Sequence, residues 1–232
     1  MPYFLYGIDQ YFLLFVLPAM LFSLAMQILV KSAYRRQSRV LNARGLTGAE
    51  AAQRVLAFYG VQDVRVEMSP GGRLSDHYDP RTRVIRLSQG VYQTPSVAAV
   101  GIAAHEAGHA AQHAQGYAPI KVRNAILPVC NIGSMLSLPL ILLGIWMEIS
   151  PLVTLGLALF AAIVVFQLVT LPVEFNASKR ALQVIDQQGL LEGADYAGVK
   201  KVLRAAAMTY VAALVVSLAN LLRLLLRFSR RR

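Results

Sequence analysis

The sequence predicts a mainly α-helical integral membrane protein with a small β-sheet and three or four transmembrane helices. Of its 232 residues, 56% are hydrophobic and only 15% are charged, so the chain is more apolar and less charged than a typical soluble domain. The apolar residues are concentrated in four long segments. Two of these run for 21 residues without a charge, about the length that crosses a bilayer.

The four apolar segments divide the chain into five regions. The segments are Tyr11 to Val30, Ile126 to Trp146, Pro151 to Leu171 and Ala205 to Leu222. The predicted regions are an N-terminal transmembrane anchor at 1–30, a polar domain at 31–125, a transmembrane hairpin at 126–171, a second polar segment at 172–204, and a C-terminal apolar helix with a basic tail at 205–232. We expect the anchor to be retained, because its first ten residues contain no Lys or Arg and its apolar run is long for a signal peptide.

The distribution of Lys and Arg predicts the orientation, since these residues favour the cytoplasmic side of a membrane. A basic cluster from Lys31 to Arg44 follows the first segment and places residues 31–125 in the cytoplasm. The hairpin then leaves and returns, so residues 172–204 lie on that side too. A full crossing by the fourth segment would carry the arginines at 230–232 outside. Two options therefore stay open for it, a transmembrane helix or an interfacial amphipathic helix.

Composition and charge argue against several other classes of protein. The net charge is +11, but the sequence contains no nucleic-acid-binding motif. The basic residues lie where the chain leaves the membrane, which indicates contact with anionic lipid headgroups. The single Cys130 lies in an apolar run and offers neither a disulfide framework nor a cysteine metal site. The central segments contain no charged residue that could line a transport pathway.

The polar domain begins with the signals of a helix followed by a small sheet. Thr47 and Glu50 have the spacing of a capping box, and the alanine-rich stretch after them predicts a helix that ends at Tyr59. Alternating valines from Val61 to Val66 and a turn signal at 79–82 between two short extended runs predict strands. A small sheet is therefore expected before the next helix.

That next helix carries the motif with the most chemical content, "AAHEAGHAAQHA" at residues 103–114. On a helix, His105 and His109 share one face about 6 Å apart and can bind one ion, whereas His113 lies about 12 Å along the axis from His105, too far for the same ion. Glu106 completes the H-E-x-x-H pattern of zinc metalloproteases, in which the glutamate takes a proton from water. Imidazole ligands favour Zn²⁺.

A third ligand is needed to separate a metal site from a coincidence. The extended metzincin pattern would need Gly at 112 and His at 115, where this chain has Gln112 and Gln115. A glutamate on a second helix is the alternative, and Glu174 in "LPVEFNASKRAL" fits, just after Pro172, which suits a helix start. Topology places Glu174 on the same side as the histidines. Three other acids are expected to be solvated surface charges: Asp186, Glu192 and Asp195.

Three stretches, together with the basic-flanked anchor, carry a resemblance to a known family. The stretches "LSDHYDPRTRVIRLS", "AAHEAGHAAQHA" and "PVEFNASKRAL" resemble the YugP-type family of bacterial membrane zinc metallopeptidases, over nearly the whole chain. The chain is more distantly similar to the HtpX and CAAX prenyl protease group. The resemblance implies a zincin-like helical core of the gluzincin type. It implies zinc at His105, His109 and Glu174, with Glu106 as the catalytic base.

The chain departs from the HtpX-like pattern at Ser178, where that pattern usually carries an aspartate. The group that orients a ligand histidine therefore stays open, with Ser178 and Asn176 as candidates. The oxyanion-stabilising residue is also unassigned between Arg180 and Tyr210, and His77 is expected to be a surface histidine.

Val84 to Leu87, just before the histidine helix, has two interpretations. It presents an edge strand to an extended substrate, or it only supports the helix.

The sequence thus predicts a zinc endopeptidase of the bacterial cytoplasmic membrane, with its active site in the cytoplasm. The expected substrates are membrane-associated or misfolded polypeptides. The lipid bilayer is the other expected partner, and no nucleic-acid partner is expected. The sequence does not predict the oligomeric state. The alternative is a zinc-stabilised membrane scaffold without turnover. Glu106 argues against the scaffold, because a structural site needs ligands but no base beside them.

Overall fold

Helices make up most of the protein in the computed structural model, which describes residues 9–70 and 75–229. The start of the predicted anchor (1–8), four residues of the predicted sheet region (71–74) and the arginines at 230–232 lie outside the described residues. In chain order the elements are a π-helical turn (Phe12–Val16), α1 (Leu17–Gln37), α2 (Gly48–Phe58), β1 (Arg65–Met68), β2 (His77–Asp79), β3 (Val84–Leu87), α3 (Gln89–Tyr92), α4 (Val97–Ala114), α5 (Ala118–Trp146), α6 (Ser150–Gln187) and α7 (Gly193–Ser229).

Four helices of the described chain are long and apolar enough to cross a membrane: Phe12–Gln37, α5, α6 and the α7 stretch Gly193–Phe228. Large apolar side chains on them stay uncovered, with Leu21 58% exposed, Met135 74% and Trp146 81%. Apolar surface of this extent requires an apolar surrounding. The predicted fold class, a mainly α-helical membrane protein with a small sheet, is confirmed.

The predicted helix start at Pro172 is wrong. Helix α6 continues without interruption from Ser150 to Gln187 and contains Pro172 in its interior. Proline is tolerated inside long apolar helices because neighbouring groups satisfy the backbone carbonyl that the missing N–H leaves free. Glu174 consequently stands inside a long helix, where the positions of its neighbours are set by helical geometry.

The chain divides into two units, and the predicted site residues lie in the one formed by Ile28–Lys121 and Pro172–Met208, which we call the polar unit. In its sheet the strand order is β1-β3-β2, with β1 parallel and β2 antiparallel to β3. Strand β3 is therefore central, so the interpretation of Val84 to Leu87 as an edge strand is wrong. Its Ile85 and Leu87 are fully buried and belong to the same apolar core as Val100 and Ala104 of α4.

Helix α2 begins where the sequence predicts. The Thr47 hydroxyl oxygen accepts the Glu50 N–H at 3.3 Å, and the Glu50 carboxylate accepts the Thr47 N–H at 2.8 Å, so both bonds of the capping box are present. The backbone N–H and the hydroxyl of Thr47 lower the pKa of Glu50. Beyond this cap, Ala51, Ala52 and Val55 are fully buried in the core that α2 shares with α4.

Helix α4 is positioned by its cap and by its small residues. The Ser96 hydroxyl oxygen accepts the Ala99 N–H at 3.1 Å and starts the helix. The histidines lie on a different strip of the helix surface from its buried alanines. These alanines are Ala103, Ala104, Ala107, Ala110 and Ala111. Small side chains let neighbouring helices approach closely, and this approach determines how near the histidines come to the next helix.

The other unit, which we call the apolar unit, comprises residues 9–27, 122–171 and 209–229 of the described chain. Its parts of α5 and α6, which are consecutive helices, pack closely at glycines. A Cβ on Gly156 would lie 2.8 Å from the Ser137 carbonyl oxygen, and one on Gly144 would lie 2.8 Å from the Val153 nitrogen. Cys130 is buried in this unit, with its Sγ 3.6 Å from the Ala162 carbonyl oxygen.

An ion-pair cluster in the apolar unit joins the two ends of the described chain. Asp9 Oδ2 lies 3.2 Å from a guanidinium nitrogen of Arg223 and 3.1 Å from one of Arg227. The Arg223 guanidinium also lies over the Phe12 ring, 5.2 Å from its centroid. The hydrocarbon core of a bilayer is about 30 Å thick, so groups in contact cannot lie on opposite sides of it.

We therefore expect both chain ends to lie on one side of the membrane, with α7 as a fourth crossing. Reporter domains fused before residue 1, after residue 148 and after residue 232 should all lie on the same side of the membrane. A reporter inserted after residue 45 should lie on the opposite side. Opposite readings at the two ends would contradict a crossing by α7 and favour an interfacial helix.

Candidate metal centre

Three side chains of ligand type converge in the polar unit, and they are the three that the sequence nominates. His105 and His109 project from α4 and Glu174 from α6, and one ligand atom from each lies within 4.8 Å of the others. Glu174 Oε2 lies 3.3 Å from His105 Nε2 and 3.7 Å from His109 Nε2. Two helices thus direct two imidazole nitrogens and one carboxylate oxygen into one small volume.

The donor set fits a divalent metal ion. Glu174 Oε2 is buried and has no hydrogen-bond partner among the described residues. His105 Nε2 is close, at 3.3 Å, but the contact does not meet the geometry of a hydrogen bond. A buried carboxylate oxygen without a partner is costly. A cation bound by His105, His109 and Glu174 would remove that cost. Two imidazoles and one carboxylate, with a fourth position open, are a ligand set that Zn²⁺ uses in catalytic sites.

The electrostatics of the pocket also favour positive charge. Burial acts to lower the pKa of His109, but the carboxylates of Glu174 and Glu106 outweigh it and the pKa is raised. The two carboxylates thus stabilise a positive charge in a place where burial alone would exclude one.

Glu106 is held by the edge strand β2. Its Oε2 accepts the backbone N–H of Tyr78 at 3.0 Å. The Tyr78 hydroxyl in turn lies 3.1 Å from His113 Nδ1, and burial raises the pKa of this tyrosine. His113, which helical rise excludes as a ligand, therefore helps attach β2 to α4. Sequence reasoning missed Tyr78, because a backbone N–H supplied by another element leaves no local pattern.

Each of the two clustered histidines has a hydrogen-bond partner at its Nδ1, the ring nitrogen that faces away from Glu174. Ser178 Oγ lies 3.1 Å from His105 Nδ1, so the serine at the position of the HtpX-like aspartate does contact one of the clustered histidines. Gln112 Oε1 lies 3.1 Å from His109 Nδ1. Such partners orient the imidazoles. Gln112 entered the sequence argument only as a departure from the metzincin pattern, although its spacing of three from His109 already placed both on one helix face.

Gly108, inside the H-E-x-x-H motif, marks the closest approach of α4 and α6. A Cβ at this position would lie 2.6 Å from the carbonyl oxygen of Ala177 and 3.3 Å from its Cα. Cβ atoms do not tolerate so short a contact with backbone. The absence of a side chain at residue 108 therefore lets the helix with the histidines approach the helix with Glu174.

The family model described as "Putative neutral zinc metallopeptidase" matches residues 12–229. The chain belongs to this family. It is also similar to the protein named "Putative membrane protease YugP" from Bacillus subtilis (strain 168), with 46% identity over 217 residues that cover 94% of this chain and 96% of the relative. No solved structure matches the chain.

Membership of the neutral zinc metallopeptidase family identifies the metal. The family is one of zinc peptidases, and the His105, His109 and Glu174 cluster could bind such an ion. The predicted cofactor, Zn²⁺, is thus supported by the family and by the donor set. The resemblance to a membrane zinc metallopeptidase is confirmed on the same grounds.

The remaining polar residues that the sequence singled out have other partners. Arg180 donates to Asn176 Oδ1 at 2.7 Å and to Gln115 Oε1 at 2.6 Å, and it lies over the Tyr59 ring, so its guanidinium is engaged outside the metal cluster. His77 is an exposed histidine, as predicted, and Tyr210 belongs to the apolar unit. The acids expected at the surface are exposed or half-buried there: Asp186, Glu192 and Asp195.

Proposed function

We propose that this protein is a membrane-bound zinc endopeptidase that hydrolyses peptide bonds of membrane-associated or misfolded polypeptides. The observation that carries the proposal is the convergence of His105, His109 and Glu174 beside Glu106. Membership of a family of zinc metallopeptidases and the similarity to a relative named as a membrane protease support it. The gluzincin assignment follows from the ligand set, in which the third ligand is a glutamate on a second helix.

The proposed mechanism gives each residue one role. His105, His109 and Glu174 would hold the ion, and Glu106 would act as the general base. Zn²⁺ in such a site lowers the pKa of water toward neutrality and polarises the carbonyl of the scissile bond. Glu106 takes the proton from the attacking water and delivers it to the leaving amine. The Tyr78 N–H, which donates to Oε2 of this carboxylate, holds Glu106 in position for both transfers.

A zinc-stabilised scaffold without turnover is the alternative, and the position of Glu106 disfavours it. Its carboxylate raises the pKa of His109 and therefore lies close enough to interact with the cluster, but it is not one of the three clustered groups. A site that only has to bind metal needs its ligands and no further carboxylate beside them. A base that receives protons explains its presence.

We place the site on the cytoplasmic side of the bacterial cytoplasmic membrane, with a polypeptide substrate and the lipid bilayer as partners. Four cations follow the apolar part of α1, and none has a salt-bridge partner among the described residues: Lys31, Arg35, Arg36 and Arg39. With Ile28 and Ser32 they line a cavity of about 560 Å³. Unpaired cations at the end of an apolar helix suit the anionic headgroups of the cytoplasmic leaflet.

Metal removal tests the proposed function. The full chain, purified in detergent, is expected to cleave an unfolded protein such as casein, to lose this activity when a chelator removes its zinc, and to regain it when Zn²⁺ is returned. Circular dichroism on the same samples separates loss of the ion from loss of the fold. Cleavage that survives complete zinc removal would contradict the proposal. Full zinc occupancy without cleavage of any unfolded or membrane-protein substrate would favour the scaffold.

A further inference from the structure

Gln112 is a polar side chain with no exposed surface, one helical turn after His109 on α4. Burying an amide is unfavourable unless its donors and its acceptor are paired. Here all of them are paired. Nε2 donates to the Val173 carbonyl oxygen at 2.8 Å and to Asn176 Oδ1 at 3.0 Å, and Oε1 lies 3.1 Å from His109 Nδ1.

The direction of these hydrogen bonds is determined by groups that can act in only one way. The Val173 carbonyl oxygen only accepts. Asn176 Oδ1 also accepts from Arg180 Nε at 2.7 Å, and a guanidinium only donates, so the asparagine must present its oxygen to this contact. Both neighbours therefore require the NH₂ group of Gln112. Turning the amide over would place Oε1 against two acceptors in a buried site.

The amide oxygen of Gln112 must then face His109 and accept a hydrogen bond from it. Nδ1 of His109 carries the proton for this bond, which leaves the lone pair of the neutral ring on Nε2. Nε2 is the nitrogen that lies 3.7 Å from Glu174 Oε2 in the ligand cluster. The other neutral tautomer would carry its hydrogen on Nε2 and could not bind a metal there.

We propose that Gln112 is a positioning residue that holds His109 in the tautomer whose Nε2 lone pair faces the metal cluster. This inference rests on the metal site of the proposed function and not on proteolysis. Its counterpart at His105 is weaker, because the Ser178 hydroxyl can donate or accept and so imposes neither tautomer. Loss of the Gln112 amide should therefore affect zinc binding more than loss of the Ser178 hydroxyl.

Zinc affinity of the detergent-purified full chain tests this inference, measured by competition with a chromophoric chelator. Gln112→Met keeps the length and volume of the side chain but removes the acceptor, and we expect its zinc Kd to rise about 10- to 100-fold, as is typical when a hydrogen-bond partner of a ligand is lost. Gln115→Met is the matched control, since this exposed glutamine of the same region contacts Arg180 and no ligand. Its zinc Kd should be unchanged.

Gln112→Glu separates positioning from packing. Glutamate keeps an acceptor for His109, and in its protonated form its O–H donates to one of the two acceptors that the NH₂ group of Gln112 meets. It is nevertheless a poorer occupant of a buried site than methionine. The positioning role predicts tighter zinc binding by the glutamate variant than by the methionine variant, and a packing role predicts the reverse. Gln112→Leu replaces the methionine variant if that variant does not fold.

The failure of this inference is distinguishable from the failure of the proposed function. Wild-type zinc affinity in folded Gln112→Met, or weaker binding by Gln112→Glu than by Gln112→Met, would overturn the positioning role. Absence of proteolysis in the wild type would overturn the endopeptidase proposal, and the zinc measurements would still decide the role of Gln112.

Discussion

Glu106→Gln is expected to bind zinc as the wild type does and to lose about 10²- to 10⁴-fold in the rate of peptide hydrolysis, the range that general acid–base catalysis contributes. Glutamine has nearly the size of glutamate, and its side-chain oxygen can still accept the Tyr78 N–H that holds residue 106 at 3.0 Å. The fold and the ligands are thereby retained. An amide cannot receive the proton of the attacking water, so the chemical step alone is lost.

Cleavage rates and bound zinc, measured on the same purified samples, check this result. Glu67→Gln is the matched control, because Glu67 makes a surface ion pair with Arg65 on β1 and the change in charge is the same. It should retain full activity. A Glu106→Gln variant that binds zinc and cleaves at the wild-type rate would show that Glu106 is not the general base.

Gly108→Ala is expected to weaken zinc binding, although alanine is the better helix former. The added Cβ would meet the Ala177 carbonyl oxygen at 2.6 Å, so α4 and α6 must separate. That movement draws His105 and His109 away from Glu174. Overpacking of this kind costs about 1–3 kcal/mol, which corresponds to a zinc Kd that is roughly 5- to 150-fold higher if the strain falls on the metal-bound state.

Gly90→Ala provides the comparison, because Gly90 lies in a short helix with nothing within 4 Å of its added Cβ. Zinc affinity and thermal unfolding of both variants are measured with and without the metal. The Gly90 variant should match the wild type. Tight zinc binding by Gly108→Ala would show that the approach of the two helices at residue 108 does not control the ligand geometry.

Much of the candidate site was predictable because two of its three clustered side chains lie on one helix. A spacing of four residues places His105 and His109 on one face, whatever else surrounds them. The capping box at Thr47 and Glu50 was predictable for the same reason, since both hydrogen bonds join residues three apart. Predicting Glu174 required one further step. It follows the predicted transmembrane hairpin, and a hairpin brings the chain back to the side of the membrane on which the histidines lie.

The failures have equally physical causes. Pro172 suits a helix start by local preference, but α6 continues through it because a long apolar helix can satisfy the freed carbonyl by other contacts. Strand order is decided by pairing between distant segments, and this made Val84 to Leu87 a central strand with β2 at the edge. No property of the strand taken alone reveals how many neighbours it will have.

The sequence by itself determined the membrane class, the principal helices and the three side chains that cluster, because these depend on apolar length, helical spacing and the order of the apolar segments along the chain. Only the tertiary structure decided what surrounds this cluster: the Tyr78 N–H on Glu106, the Gln112 amide on His109, and the close helix approach at Gly108. Those contacts join groups from different elements, several of them backbone atoms that every residue type carries. Their positions depend on how distant elements pack, and local residue patterns do not predict this packing.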